Sequence, residues 1–95
     1  MRENELNSAE TIGLRALGWL VGHDDLLPVF LGASGASEGD LRAGASDPVF
    51  LGSVLDFILM DDAWVIEFSE AAGIAPEKLG RARQALPGGE AVNWT

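Results

Sequence analysis

The sequence contains no cysteine and a single histidine, and both shortages limit the chemistry open to it. Without cysteine there is no disulfide, no thiolate nucleophile and no zinc site built on sulfur. A metal centre or a Ser-His-Asp triad would need His23 as its one imidazole. We therefore expect a protein that is not an enzyme and that uses neither a metal nor a cofactor.

Basic residues are also scarce. Six Lys and Arg stand against fifteen Asp and Glu, which gives a formal net charge of −9. Such a surface repels phosphate backbones unless its cations are concentrated. Lys78, Arg81 and Arg83 are close in the sequence, but no aromatic residue lies among them to stack on a base. Nucleic-acid binding through these three residues is therefore a weak alternative.

Long apolar runs are missing from the chain. No run approaches the roughly 20 residues that a membrane-spanning helix needs. The opening residues, MRENELNSAE, carry charges of both signs and lack the apolar segment of a secretory signal. We expect one cytoplasmic helical domain over residues 1–95 without membrane contact, in which residues 1–6 and 88–95 are flexible ends.

The residues that start and stop helices divide the chain into short segments. Asp, Asn or Ser precedes each apolar stretch, and Gly, or Gly with Pro nearby, follows it. The pattern predicts an all-α fold, a small irregular or orthogonal bundle of five to six short helices. The predicted helices run from Asn7 or Ser8 to Gly22, from Asp24 or Asp25 to Gly32, from Ser37, from Asp47 with Pro48 as first residue, from Asp61 and Asp62 to Gly73, and from Pro76 to Pro87.

The apolar residues within these segments predict which faces are buried. The first helix has a narrow polar stripe and a wide apolar arc, so we expect most of it to be buried. The stripe is Thr11, Arg15 and Gly18, and the arc is Ile12, Leu14, Leu17, Trp19, Leu20 and Val21. The fourth helix should be central, and Trp19 and Trp64 should belong to the core. No predicted helix buries Trp94, which is therefore exposed or contacts a partner or a second copy.

The pentapeptide PVFLG occurs twice, at Pro28 and at Pro48. The residues that flank the two copies do not match, and the spacing is shorter than a repeat of two helices. We interpret the repetition as similar helix-start chemistry rather than as a duplicated functional unit.

Two pairs of adjacent carboxylates are the sharpest candidates for chemistry. Together with His23 they form the set His23, Asp24, Asp25, Asp61 and Asp62. Clustered carboxylates can hold a hard cation or share a proton, so a metal-binding or enzymatic site is an alternative if the pairs meet in space. Neither pair has the spacing of an EF-hand, and each stands where a helix should begin. Helix capping is therefore the preferred interpretation.

Four segments carry a resemblance to a known family: DDLLPVFLGASG, SEGDLR, SDPVFLGSVLDFILMDDAWVIEF and GIAPEKLGRARQALPGG. The chain is similar to a family of small bacterial proteins, domain of unknown function 3572. The resemblance implies an all-helical domain and brings no catalytic residues. Ala75 precedes Pro76 where a capping Asp would be natural, so we expect a weaker start to the sixth helix.

These observations favour a module that works by protein–protein interaction. With 47% hydrophobic residues, so short a chain leaves apolar surface over for an interface. The acidic surface selects a partner with a basic rim. The partner is another protein or a second copy in a homodimer, and the candidate contact residues are Trp94, Lys78, Arg81 and Arg83.

Overall fold

The computed structural model describes residues 2–87, and it describes side chains from residue 8 onward. Within this range six α-helices follow one another without a strand, which confirms the all-α prediction. The helices are α1 (Arg2–Val21), α2 (Leu26–Ser34), α3 (Glu38–Gly44), α4 (Pro48–Leu59), α5 (Asp62–Ala72) and α6 (Pro76–Ala85). Trp94 and the end predicted at 88–95 lie outside the described residues.

Three predicted helix starts are confirmed by their hydrogen bonds. The hydroxyl of Ser37 accepts from the backbone N–H of Asp40 at 3.2 Å, and the Asp40 carboxylate accepts from the N–H of Ser37 at 2.9 Å. Asp47 caps α4 and Asp61 caps α5 by accepting a backbone N–H two residues further on. Ala75 supplies no side-chain cap to α6, as its identity predicts.

Two predicted boundaries are wrong. The first helix begins at Arg2 rather than at Asn7 or Ser8, because Asn and Ser cost only a few tenths of a kcal/mol inside a helix and do not stop one that continues. The second helix continues through Gly32 to Ser34, and Gly35, whose φ is 75°, is its C-cap. There the Ser34 hydroxyl donates to the carbonyl of Phe30 at 2.7 Å, which holds the last turn closed.

Helix α4 is the centre of the bundle, as predicted. It contacts α1, α3, α5 and α6, and its buried residues are Leu51, Gly52, Val54, Leu55, Phe57 and Ile58. Aromatic rings extend the core outward: Phe57 stacks on Trp64 with centroids 4.8 Å apart and meets Phe30 edge to face. This ring chain joins α2 to α5 through α4.

Close backbone approach fixes how α1 lies on α4. A Cβ on Gly13 would lie 2.9 Å from Cβ of Leu51, so only glycine permits this contact. The buried face of α1 also packs extensively against α6. The fully or nearly fully buried side chains of α1 are Ala9, Ala16, Leu17 and Leu20.

The predicted apolar arc of α1 is only partly buried. Leu14 is 49% exposed and Val21 is 46% exposed, so these two arc residues face outward, against the expectation that most of the helix is buried. Trp19 is half-buried against the core. None of the helices within residues 2–87 is long and apolar enough to cross a bilayer.

Candidate interaction groove

The three clustered basic residues do not form one patch. Lys78 and Arg81 line a depression of ≈ 410 Å³ beside Ile12. The guanidinium of Arg83 instead donates to the carboxylate of Asp56 and to the carbonyl of Pro87. Because α6 is helical over this stretch, Arg83 is rotated away from the other two cations. The basic residues thus divide between two surfaces.

The two Asp pairs have different positions in the structure. Asp61 caps α5 and Asp62 lies in its first turn. In the described part of the chain, no three His, Asp or Glu side chains are placed so that they could hold a metal ion. The metal-binding alternative built on His23, Asp24, Asp25, Asp61 and Asp62 therefore has no three-donor set among the described residues.

His23 supplies the side-chain cap at the start of α2, which the sequence predicts for Asp24 or Asp25. Its Nδ1 accepts from the backbone N–H of Leu26 at 3.3 Å, so Nε2 carries the proton and donates to the carboxylate of Glu67 at 3.2 Å. Asp25 occupies the cap position of α2 without a side-chain cap hydrogen bond. Neither Asp24 nor Asp25 makes an ion pair with any described side chain.

Trp19 lines two adjoining depressions on the surface. One, of ≈ 280 Å³, is lined by Arg15, Gly18, Trp19, Phe68, Ala71 and Ala72. The other, of ≈ 410 Å³, is lined by Gly18, Trp19, Gly22, His23, Asp24 and Asp25. They share Gly18 and Trp19, and we call the two together the Trp19 groove.

The side chains around the indole hold it in place. The rings of Trp19 and His23 meet edge to face at 5.1 Å, and Trp19 meets Phe68 in the same way at 5.6 Å. Because α1 supplies Trp19 and α5 supplies Phe68, the groove follows the seam between these two helices. The ring is therefore positioned by the fold itself.

The two ends of the groove differ in charge. At one end the Arg15 guanidinium donates to the carbonyl of Ala72 at 3.1 Å, where it satisfies the last turn of α5. At the other end Asp24 and Asp25 are exposed carboxylates, and none of the described Lys and Arg side chains lines that depression. The groove thus has one engaged cation and two acidic groups without a partner among the described side chains.

An exposed apolar face of α1 adjoins the groove. Leu14, Gly18 and Val21 are spaced i, i+4 and i+7, and all three are exposed. We call these three residues the α1 face. Arg15 is the one Lys, Arg, Asp or Glu between Thr11 and Gly22. The sequence pattern predicts Gly18 on the polar stripe and Leu14 and Val21 on the apolar arc, although spacings of four and three residues bring all three to one side of the helix.

The comparisons with known proteins identify a family without an assigned activity. The family model described as "Protein of unknown function (DUF3572)" matches residues 6–89. No curated protein and no solved structure matches the chain. The matched range includes every residue of the Trp19 groove and of the α1 face.

Proposed function

Since the chain belongs to the DUF3572 family, whose function is unknown, we infer its function from its own surface and propose a non-enzymatic module that binds another protein. The binding surface is the α1 face together with the Trp19 groove. The partner presents an apolar segment with a basic rim. A cytoplasmic place of action stays a prediction.

The α1 face is the observation that carries this proposal. Single exposed apolar residues are ordinary on protein surfaces. Here Leu14 and Val21 lie about 10 Å apart along one side of a helix, and Gly18 between them leaves the backbone bare. Spacing of i, i+4 and i+7 is the arrangement by which a helix contacts a partner segment.

Packing within the molecule does not explain the glycine at position 18. A Cβ there would have no neighbour within 4 Å among the described residues, whereas a Cβ on Gly13 would overlap Leu51. Glycine inside a helix costs about 0.5–1 kcal/mol relative to alanine. A partner backbone that approaches α1 closely would account for that cost.

Charge favours a different protein over a second copy as the occupant. Each copy carries a formal charge of −9, so two copies repel each other before they touch. A partner with a basic rim is instead attracted to the carboxylates of Asp24 and Asp25.

Selection of displayed random peptides on the immobilised protein tests the proposal. We expect enriched peptides to bind wild type and the Gly32→Gln variant but to lose binding to Gly18→Gln. Both glycines are exposed helical positions with open space where a Cβ would lie, so both variants should be as stable as wild type or more so. Enriched peptides that bind Gly18→Gln as well as Gly32→Gln, or no enrichment at all, would contradict the proposal.

Light scattering over a concentration series tests the choice of occupant. We expect the mass of a monomer, 10.0 kDa, at every concentration. A dimer that Gly18→Gln dissociates and Gly32→Gln does not would show that a second copy covers the α1 face, against the proposed partner.

A further inference from the structure

We infer that the Trp19 groove receives an arginine side chain of the partner segment, between the indole of Trp19 and the carboxylates of Asp24 and Asp25. This inference rests on the proposed function and names the chemistry of the partner. Three observations support it: no described side chain pairs with these carboxylates, the described charged residues at this end of the groove are acidic, and glycines and the Trp19 ring line the groove.

The first observation is that the two carboxylates make no cap hydrogen bond and no ion pair with any described side chain. Asp24 and Asp25 precede α2, where a side-chain cap is normally worth about 1 kcal/mol. The cap is supplied by Nδ1 of His23 instead. Both carboxylates are therefore exposed acceptors that a ligand can engage without breaking a bond of the fold.

The second observation concerns the charge around this end. Glu67 lies directly beyond His23, with 54% of its side chain exposed, and adds to the negative potential. The nearest cation that lines the groove, Arg15, is held by the carbonyl of Ala72 at the opposite end. The field thus attracts a cationic side chain and repels an acidic one.

The third observation is that glycines and a fixed aromatic ring line this end of the Trp19 groove. Gly18 and Gly22 are one helical turn apart and carry no side chains, so a bound segment can lie close to α1. Trp19 is fixed by its edge contacts with His23 and Phe68. A guanidinium both stacks on an aromatic ring and bonds a carboxylate with two parallel N–H groups, which an ammonium group cannot do.

An NMR titration with two matched probes tests this inference directly. The probes are Nα-acetyl-arginine N-methylamide and its citrulline analogue, which has nearly the same shape and no charge. The readout is the indole N–H signal of Trp19, with the signal of Trp64 as internal reference. We expect a saturable shift of the Trp19 signal with the arginine probe. The affinity for the citrulline probe should be lower than that for the arginine probe by about fivefold or more. Equal shifts with both probes, or no shift at Trp19, would overturn the inference.

Two charge variants separate the specific carboxylates from the general acidity of the surface. Asp24→Asn with Asp25→Asn should weaken binding of the arginine probe by about threefold to tenfold. Glu38→Gln with Asp62→Asn removes the same charge from first-turn positions of α3 and α5, and it should leave the affinity nearly unchanged. Equal losses in the two double variants would show that net charge alone attracts the probe, against a site in the groove.

The peptides selected on the α1 face separate this inference from the proposed function. If their binding depends on Gly18 and falls when their arginine is replaced by citrulline, the proposed function and the arginine site are both supported. If it depends on Gly18 but tolerates citrulline, the module binds a partner and the arginine site is wrong. If no peptide depends on Gly18, the proposed function itself is wrong.

Discussion

Glycine has opposite roles at different residues of this chain. At Gly44 an added Cβ would lie 2.6 Å from Cε2 of Phe50 and closer still to other atoms of the ring. At Gly18, Gly32 and Gly80 the same atom would meet no atom of the described residues within 4 Å. The first glycine lets α3 lie against an aromatic ring of α4, whereas the other three lower the helix propensity of their segments without making a close contact in the described fold.

Alanine substitutions should therefore change stability in opposite directions. Gly44→Ala should lower the free energy of unfolding by about 1–3 kcal/mol, because the Phe50 ring must move to admit the methyl group. Gly80→Ala should raise it by about 0.5–1 kcal/mol through better helix propensity. Urea unfolding followed by circular dichroism measures both. A Gly44→Ala variant as stable as wild type would mean that the ring yields without cost.

At the scale of helices, the starts were predictable where the signal is local. Ser37 with Asp40, and Asp47 with Pro48, determine their caps within a few residues of sequence, and the structure has the bonds that these residues predict. The choice of Gly35 over Gly32 as the end of α2 was not predictable, since both glycines fit the pattern. The Trp19 groove was also missed, because it depends on how α1 lies against α5.

The capping role of His23 leads to a test at the start of α2. His23→Ala should lower the free energy of unfolding by about 1 kcal/mol more than His23→Asn, because asparagine keeps a side-chain acceptor for the N–H of Leu26. Asp25→Asn should change it by less than about 0.5 kcal/mol, since Asp25 makes no cap bond. Thermal and urea unfolding of the three variants measure these differences. A cost for Asp25→Asn as large as that for His23→Ala would assign the cap to Asp25 instead.

At the scale of the whole molecule, the acidic excess acts on every part of the fold. The described part measures 36 × 28 × 27 Å, and the Debye length is about 30 Å in 10 mM salt but about 8 Å in 150 mM salt. Repulsion among carboxylates therefore spans the molecule at low salt and is confined to near neighbours at physiological salt. Among the described side chains, the ion pair of Arg83 with Asp56 and the hydrogen bond of His23 to Glu67 oppose only a small part of this repulsion.

Added salt should accordingly stabilise the fold. Raising NaCl from about 10 mM to about 150 mM should increase the urea midpoint, and the increase should be smaller when Asp24 and Asp25 are both replaced by asparagine. Urea titrations at each salt concentration check this expectation. A midpoint that falls as salt is added would mean that the attractive pairs outweigh the net repulsion.

The packing of α1 against α6 joins the first and the last of the described helices. A chain synthesised from its amino end therefore exposes the inner side of α1 before Leu79 and Leu86, which are fully buried in the folded protein, have been made. Contacts between such distant residues slow folding relative to a bundle of sequential helices. On the ribosome, the inner side of α1 thus stays partly uncovered until the sixth helix emerges, even when α4 has already packed against it.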